Sequence, residues 1–374
     1  MKILLLGGGL QALCCGKSLK ELNYHIDAVS DDLQVIKSVF FHKVYQGINS
    51  SSIQIYEILK KEHYDVLIPM VDMNVSFLSK NKKYIEKEFR CKCACVDYDL
   101  LEIVEDKHIF MNFCKENQVP HPVTRQLTED SLEEAITEVG FPSLIKPDFS
   151  IGARGITRVN NLFELKCKYP EIQHKYGPCT LQELIDNKEF YYNVMLYRNK
   201  DGNYLAHTII KIVRMYPIYA GSSSCCISVE NDELLQICKD CLDKLNWVGM
   251  ADFDVLQHLD TKEFKIIEIN PRVPASLKAA TISGVNIPEV IVKDLMGLPV
   301  PRYSYQPGKI MRYLGIDILW FLKSPKRFNS NPYWFSFYGK KIYYQDIYRD
   351  DTTTWWTWLA EGVKKLGRRN KKLR

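Results

Sequence analysis

The sequence predicts an α/β protein that opens on a parallel sheet, and three observations carry the prediction. The run KILLLGG is an apolar strand ending in glycines, a helical pattern follows from Gln11 to Leu22, and HIDAVS is a second strand. That is a βαβ opening. The alternation repeats with a helix near 53–62, the strand YDVLIPMV, a helix near 75–89 and the strand CKCACV, and alternation of this kind builds a parallel sheet. The third observation is the stretch from Gly249 to Arg272, GMADFDVLQHLDTKEFKIIEINPR, where two strand-like runs flank a hairpin turn at Asp260 to Glu263.

At 374 residues the chain exceeds one ordinary core and divides into two or three domains. A composition of 46% hydrophobic and 25% charged residues is that of a soluble globular protein. No apolar run reaches the roughly 18 residues of a membrane span. The opening MKILLLGGGLQ breaks into glycines too early for a signal peptide, so the reading is cytoplasmic. The 12 cysteines lack the short secreted context of a disulfide framework. Cys91, Cys93 and Cys95 alternate like a buried strand. Cys238 and Cys241 have C-x-x-C spacing inside the helical run DELLQICKDCLDKL, with no second pair at zinc-site spacing, and read as reduced core thiols. Residues 361–374 hold seven Lys or Arg against one Glu, a charge of +6 out of a net +5, which leaves −1 for the first 360 residues. The body therefore carries no basic signature for nucleic acid.

Gly7, Gly9 and Ala12 satisfy G-x-G-x-x-A, a spacing that lets phosphate approach a helix N-terminus. Close packing at a strand-to-helix turn demands the same glycines. Asp72 lies at the carboxyl end of LIPMV, where open α/β sheets bind ligands, and capping of the following helix is the favoured reading. From Asp99 to Val119 the chain turns helical and runs into Pro120 and Pro122, as a hinge between domains would.

In the hairpin, Asp252 and Asp254 alternate on one strand and Glu268 and Asn270 on the other. Side chains at i and i+2 share a face, so two adjacent strands gather four oxygen-bearing groups on one side. A solvated strand face is the plain alternative, but Ile266, Ile267 and Ile269 surround Glu268, and burying an unpaired carboxylate is costly. Hard oxygen ligands suit Mg²⁺, which takes one or two carboxylates together with nucleotide phosphates. Upstream, Lys146 ends an apolar strand and the loop SIGARG follows, its backbone NH groups suited to anion oxygens and Lys146 adding a point charge. The loop departs from the P-loop pattern. The run CTLQELIDNKEF reads as a strand entering a turn, with Gln182 to Ile185 as an exposed edge for an adenine ring or a plain connection.

The set formed by Asp106-Lys107, LIKP with SIGARG, LQELI with Glu189, GMADFD and IIEINPR resembles the ATP-grasp superfamily, in the branch similar to carbamoyl-phosphate synthase and biotin carboxylase. The resemblance covers about residues 1–300. It implies a Rossmann-like domain over 1–98, then a two-lobed α+β ATP-grasp domain over 99–300 with a small lobe at about 120–186 and a large lobe at about 187–300; residues 301–374 form a C-terminal extension. Carried onto this sequence, it implies Lys107 and Lys146 on ATP phosphates, covered by the loop of Ser150, Gly152, Ala153 and Gly155. It implies Gln182, Glu183, Leu184 and Ile185 along the adenine, Glu189 on the ribose, and Asp254, Glu268 and Asn270 on Mg²⁺. Many relatives have Glu or Gln at the position of Asp254, whose reach is shorter. Arg272, Arg214 and Lys211 resemble the cations that steady a transferred phosphoryl group.

The implied activity is an ATP- and Mg²⁺-dependent carboxylate–amine ligase acting through an acyl phosphate, with small-molecule carboxylate and amine substrates. Phosphoryl transfer needs positioning and cations more than covalent protein chemistry. Two other readings stand beside it: an NAD-dependent oxidoreductase built on Gly7, Gly9 and Ala12, and a non-catalytic nucleotide-binding protein of the same fold. Ser222, Ser223 and Ser224 read either as a substrate-facing group or as an ordinary polar loop, and Pro274 to Ser276 opens a helix whose NH groups suit an anion. The tail from Trp355 to Arg374 mixes tryptophans with cations, a pattern of peripheral membrane contact, although docking of the tryptophans on the body is favoured. A homodimer is left open.

Overall fold

In the computed structural model, the described residues are 1–47, 52–149, 154–187, 189–218, 221–353 and 356. They build three sheets. The first is the five-stranded parallel sheet β3-β2-β1-β4-β5, from β1 (Lys2–Leu6), β2 (His25–Val29), β3 (Lys43–Tyr45), β4 (Val66–Pro69) and β5 (Lys92–Cys93). Ile3, Leu4, Leu5 and Leu6 are all fully buried, because helices cover both faces of such a sheet and leave no polar side for alternation. The strand expected from CKCACV is reduced to two residues.

Gly7 and Gly8 both have positive φ, and a Cβ on Gly8 would lie 2.7 Å from Met70 Cβ. A Cβ on Gly7 would lie 2.9 Å from Asn74 and Val71. Packing between β1 and the β4 turn accounts for both glycines without a bound dinucleotide.

The second sheet is antiparallel, in the order β6-β9-β7-β8, from β6 (Thr124–Leu127), β7 (Ser143–Pro147), β8 (Thr157–Val159) and β9 (Cys179–Glu183). Its small core joins Ile145, Leu181 and Cys179 to Leu165 and Tyr169 of the helix Leu162–Tyr176. The third sheet has seven strands in the order β14-β13-β10-β11-β12-β15-β16. They are β10 (Tyr191–Arg198), β11 (Tyr204–Tyr216), β12 (Ser222–Ser228), β13 (Gly249–Gln257), β14 (Phe264–Asn270), β15 (Ile310–Arg312) and β16 (Ile342–Tyr344). One face packs on the helix Asp232–Lys244, whose Cys238 and Cys241 are buried free thiols in the core. Among the described residues no helix is long and apolar enough to cross a membrane.

Residues after 300 thus complete the large sheet, and one buried ion cluster holds them there. Asp317, on the helix Leu314–Lys323, is fully buried and accepts from Arg214 Nε at 2.8 Å, Arg214 Nη2 at 3.0 Å and Arg312 Nε at 2.8 Å. Ser224 Oγ donates to the same carboxylate at 3.2 Å. Arg214 Nη1 donates to Pro332 O, and Arg312 Nη1 to Ser336 O. Two guanidiniums share one carboxylate out of water, so removing the carboxylate leaves both charges buried and uncompensated. Asp317→Ala is expected to destabilise the chain by about 3–5 kcal/mol, measured by urea unfolding; a loss below about 1 kcal/mol would show that the cluster does not hold the extension.

Candidate functional site

The register of the large sheet assembles the carboxylate face. Asp254 pairs with Glu268 on β14 and with Asn193 on β10, and Asp252 pairs with Asn270. Cross-strand partners share a face, so all five side chains lie on one side of the sheet. Asn193 Nδ2 donates to Asp254 Oδ1. Asp252 is buried and its Oδ1 has no hydrogen-bond partner among the described residues.

Electrostatics follow from this crowding. Burial, then the charge of Glu268 and a hydrogen bond with it, push the Asp254 carboxyl well above the usual carboxylate range. Burial also pushes Asp252 well up, against the pull of Arg272. Burial would raise Glu268 as well, but the hydrogen bond from Asp254 and the charges of Lys107 and Lys146 outweigh it and hold Glu268 below its ordinary value. Like charges this close leave the pair short of positive charge.

Lys146 supplies part of it from the opposite side. It lies near the end of β7 of the small sheet, is buried, and donates from Nζ to Gln182 Oε1 at 2.5 Å, while Gln182 Nε2 donates to Thr124 Oγ1 at 3.0 Å. Burial lowers its pKa to about 8, opposed by Glu268 and Asp254. Lys107, the first residue of the helix Lys107–Glu116, approaches the same group, its backbone N donating to Asp148 O at 3.3 Å. Asp106 caps that helix through His108 N and Ile109 N. Asp148 is buried with Oδ1 unpartnered among the described residues, and burial together with Asp106 raises it to about 6.

Arg272, just past β14, closes the site toward the first sheet. Its Nε donates to Asp72 Oδ1 at 2.5 Å and its Nη2 to Asn270 Oδ1 at 3.4 Å. The capping expected of Asp72 is corrected here: Val71 is the N-cap of the helix Asp72–Phe89, without a side-chain cap, and the Asp72 carboxylate faces Arg272 instead. A residue at the carboxyl end of a parallel strand was the available signal for such a role.

Two predicted cations lie elsewhere. Lys211 pairs with Tyr192, the neighbour of Asn193, and so occupies the opposite face from Asp254, with Nζ 3.5 Å from the Phe190 ring centre. Arg214 is committed to Asp317 in the buried cluster. Ser224 is fully buried on β12 and bound there too, so neither the substrate-facing reading nor that of an ordinary polar loop describes it. The segment after Asn270 opens with a short 3-10 turn, Ala275–Leu277.

The remaining candidates lie along the connection between the four-stranded and the seven-stranded sheet. The Glu183 carboxylate accepts from Val123 N at 2.9 Å. Leu184 and the buried Ile185 follow β9, and Asn187 Nδ2 ties the connection to Gln257 O at 2.9 Å. Glu189 is exposed and paired at 2.6 Å with Lys326, a partner no sequence pattern indicated. Gly155 has φ near +79°, and a Cβ there would lie 2.7 Å from Pro147 Cγ, so the end of the glycine loop fits only glycine. Ser150, Gly152 and Ala153 lie outside the described residues.

With this geometry in hand, comparison with known proteins is specific. Residues 104–276 match the family model described as ATP-grasp domain. The carbamoyl phosphate synthase large chain of Methanothermobacter thermautotrophicus is 28% identical over 207 residues, which is 52% of this chain and 19% of that one. The D-aspartate ligase of Enterococcus faecium is 24% identical over 295 residues, 71% of this chain and 69% of that one. In structure, the biotin carboxylase of Campylobacter jejuni, solved as a β,γ-ATP complex, superposes with a TM-score of 0.69 at 18% identity, covering 83% of this chain and 74% of that one. The match to the ATP-grasp domain model follows the parallel α/β sheet in the chain, and the fold as a whole is similar to that of the biotin carboxylase structure. It spans about a fifth of the length of the carbamoyl phosphate synthase relative.

The buried Lys146 generates a pH prediction. Below about pH 8 it is charged in folded and unfolded chains alike, and the cost of burying that charge is present in full. Between about pH 8 and 10.5 the unfolded chain binds the proton and the folded chain does not, so rising pH relieves the cost. The stability of the native chain relative to Lys146→Met is expected to rise by up to roughly 3 kcal/mol across that window, measured by urea unfolding at pH 7 and pH 10. A difference that stays constant would contradict the assigned burial.

Proposed function

We propose that the chain is an ATP- and Mg²⁺-dependent ligase that activates a substrate carboxylate as an acyl phosphate for attack by an amine or a similar nucleophile. The observation that carries this reading is the opposition of charges across the sheets: Lys146 and Lys107 on one side, Asp254 and Glu268 on the other, all close enough to perturb one another. Nucleotide phosphates held between the sheets would meet both cations.

The carboxylate face fits Mg²⁺. Asp254, Glu268 and the Asn270 amide oxygen are hard donors, the carboxylate pair is short of positive charge, and Asp252 holds an orphaned buried oxygen nearby. Among the described residues no group of three His, Cys, Asp or Glu could hold an ion, so in this reading phosphate and water supply the remaining ligands. When bound, the ion neutralises charge on the phosphoryl oxygens.

In this reading Lys107 and Lys146 bind and orient the phosphates, and Ser150, Gly152, Ala153 and Gly155 are assigned to the same phosphates. Gln182 holds Lys146 in place, Glu183 to Ile185 run along the adenine, and Glu189 reaches the ribose once it exchanges Lys326 for a hydroxyl. Arg272 steadies the transferred phosphoryl group and is itself oriented by Asp72 from the first sheet. Acceptors then enter between the carboxyl end of the parallel sheet and the large sheet. The described residues of 1–98 supply that wall, those of 99–300 the clamp, and those of 301–374 the extension that completes the large sheet. Lys211 and Arg214 take no part, because one faces away and the other is bound to Asp317.

Two measurements test this. Mg-ATP is expected to raise the melting temperature and NADH to leave it unchanged, since only a ligand of the native state stabilises it; stabilisation by NADH alone would favour a dinucleotide enzyme. With pooled carboxylates and amines, release of ADP and phosphate is expected, and Asp254→Ala and Glu268→Ala are each expected to lower it by at least about 100-fold with circular dichroism unchanged. Activity surviving both substitutions would remove the metal assignment.

A further inference from the structure

The segment from Ile318 to Lys341 differs in character from the rest of the chain. It contains Lys323, Lys326, Arg327, Lys340 and Lys341, no Asp or Glu, and eight aromatic residues. Half of its aromatics turn inward and form a frame. Phe321 packs on Trp334 with ring centres 4.1 Å apart, Trp334 lies 5.1 Å from Phe337, and Trp334 Nε1 donates to Asp317 O at 3.2 Å. Trp320 is buried against Arg214. The frame anchors the segment to the buried Asp317 cluster.

On that frame large apolar groups are held out of the protein. Ile318 and Leu322 lie one helical turn apart, away from the buried Asp317 and Trp320, and Leu322 is 61% exposed. Phe328 and Phe335 pack edgewise on Phe321 at 5.6 and 5.5 Å, yet are 58% and 45% exposed, and Tyr338 is 93% exposed. Large apolar side chains held exposed within one segment mark an interaction surface.

Charge selects the partner. Lys326 pairs with Glu189, and Lys323, Arg327, Lys340 and Lys341, all exposed, form no ion pair among the described residues. A second copy meeting this face through a twofold axis would set five cations against five, which like-charge repulsion opposes. A nucleic acid would satisfy the cations but leave Ile318 and Leu322 without an apolar partner. Aliphatic and aromatic side chains interleaved with Lys and Arg, without carboxylates, match the boundary of an anionic bilayer, where rings sit among headgroups and cations meet lipid phosphates. We propose that the face built by residues 318–341 docks on an anionic lipid bilayer as a peripheral contact. The inference is independent of the ligase reading, and it places the contact in the body of the protein, ahead of the basic stretch at 361–374.

Vesicle flotation with the full chain tests it. The chain is expected to float with vesicles of phosphatidylcholine and phosphatidylserine, to stay in solution with phosphatidylcholine alone, and to release in high salt. The double substitution Lys340→Gln, Lys341→Gln is expected to weaken binding about thirtyfold, from about fivefold per cation. The pair Leu322→Ser, Tyr338→Ser, both at exposed positions, is expected to abolish flotation with circular dichroism and melting temperature preserved. A chain ending at Ala360 is expected to keep its dependence on Lys340 and Lys341. Three outcomes would each overturn the proposal: no flotation of the full chain, binding lost on truncation at Ala360 and indifferent to the patch substitutions, or patch substitutions that abolish dimerisation or oligonucleotide binding in a chain that ignores vesicles.

Discussion

Asp254 and Glu268 sit side by side across two strands, with the buried Asp252 two residues away, and this concentration of negative charge governs the arrangement around it. An isolated sheet face would not retain it, because burial and mutual repulsion both favour protonation. The protein answers with Lys107 and Lys146 from the small-sheet side, and with Arg272 held near Asp252. Lys146 bears a cost in turn, being buried with Gln182 as its direct partner among the described residues. Each side is electrostatically incomplete alone, and anionic phosphates with a divalent cation would complete both.

The frame that sets this geometry depends on one ion pair and one buried ion cluster. Arg272 and Asp72 join the large sheet to the parallel sheet. Asp317 draws β11, β12 and β15 together through Arg214, Ser224 and Arg312. The cluster explains why residues after 300 belong to the large sheet and why their inner aromatics are fixed while the outer ones reach solvent. Lys326 touches both functions by pairing with Glu189 at the site's rim.

Features that depend on local pattern were legible in the sequence. Strand alternation identified the shared face of Asp252, Asp254, Glu268 and Asn270, and the βαβ rhythm identified the parallel sheet. Cys238 and Cys241 read as core thiols from their helical context, and they are buried. What escaped depended on register and distant partners. Lys211 lies one residue out of phase with the carboxylate face, and irregular pairing follows between Ile212 and Met215. Arg214 meets Asp317 across 103 positions and Arg272 meets Asp72 across 200. No periodicity carries such information, because tertiary packing alone brings those groups together.

The fate of a carboxylate oxygen tests the ligase chemistry most directly. Once a carboxylate that supports ADP release is in hand, it is supplied with both oxygens labelled as ¹⁸O, and the released phosphate is analysed by mass spectrometry. Attack on the γ-phosphoryl followed by displacement by an amine transfers one labelled oxygen from each consumed carboxylate to phosphate, and that is the predicted result. Unlabelled phosphate, formed at the same rate as product, would contradict an acyl phosphate and with it the role assigned to the opposed charges of Lys146 and Glu268.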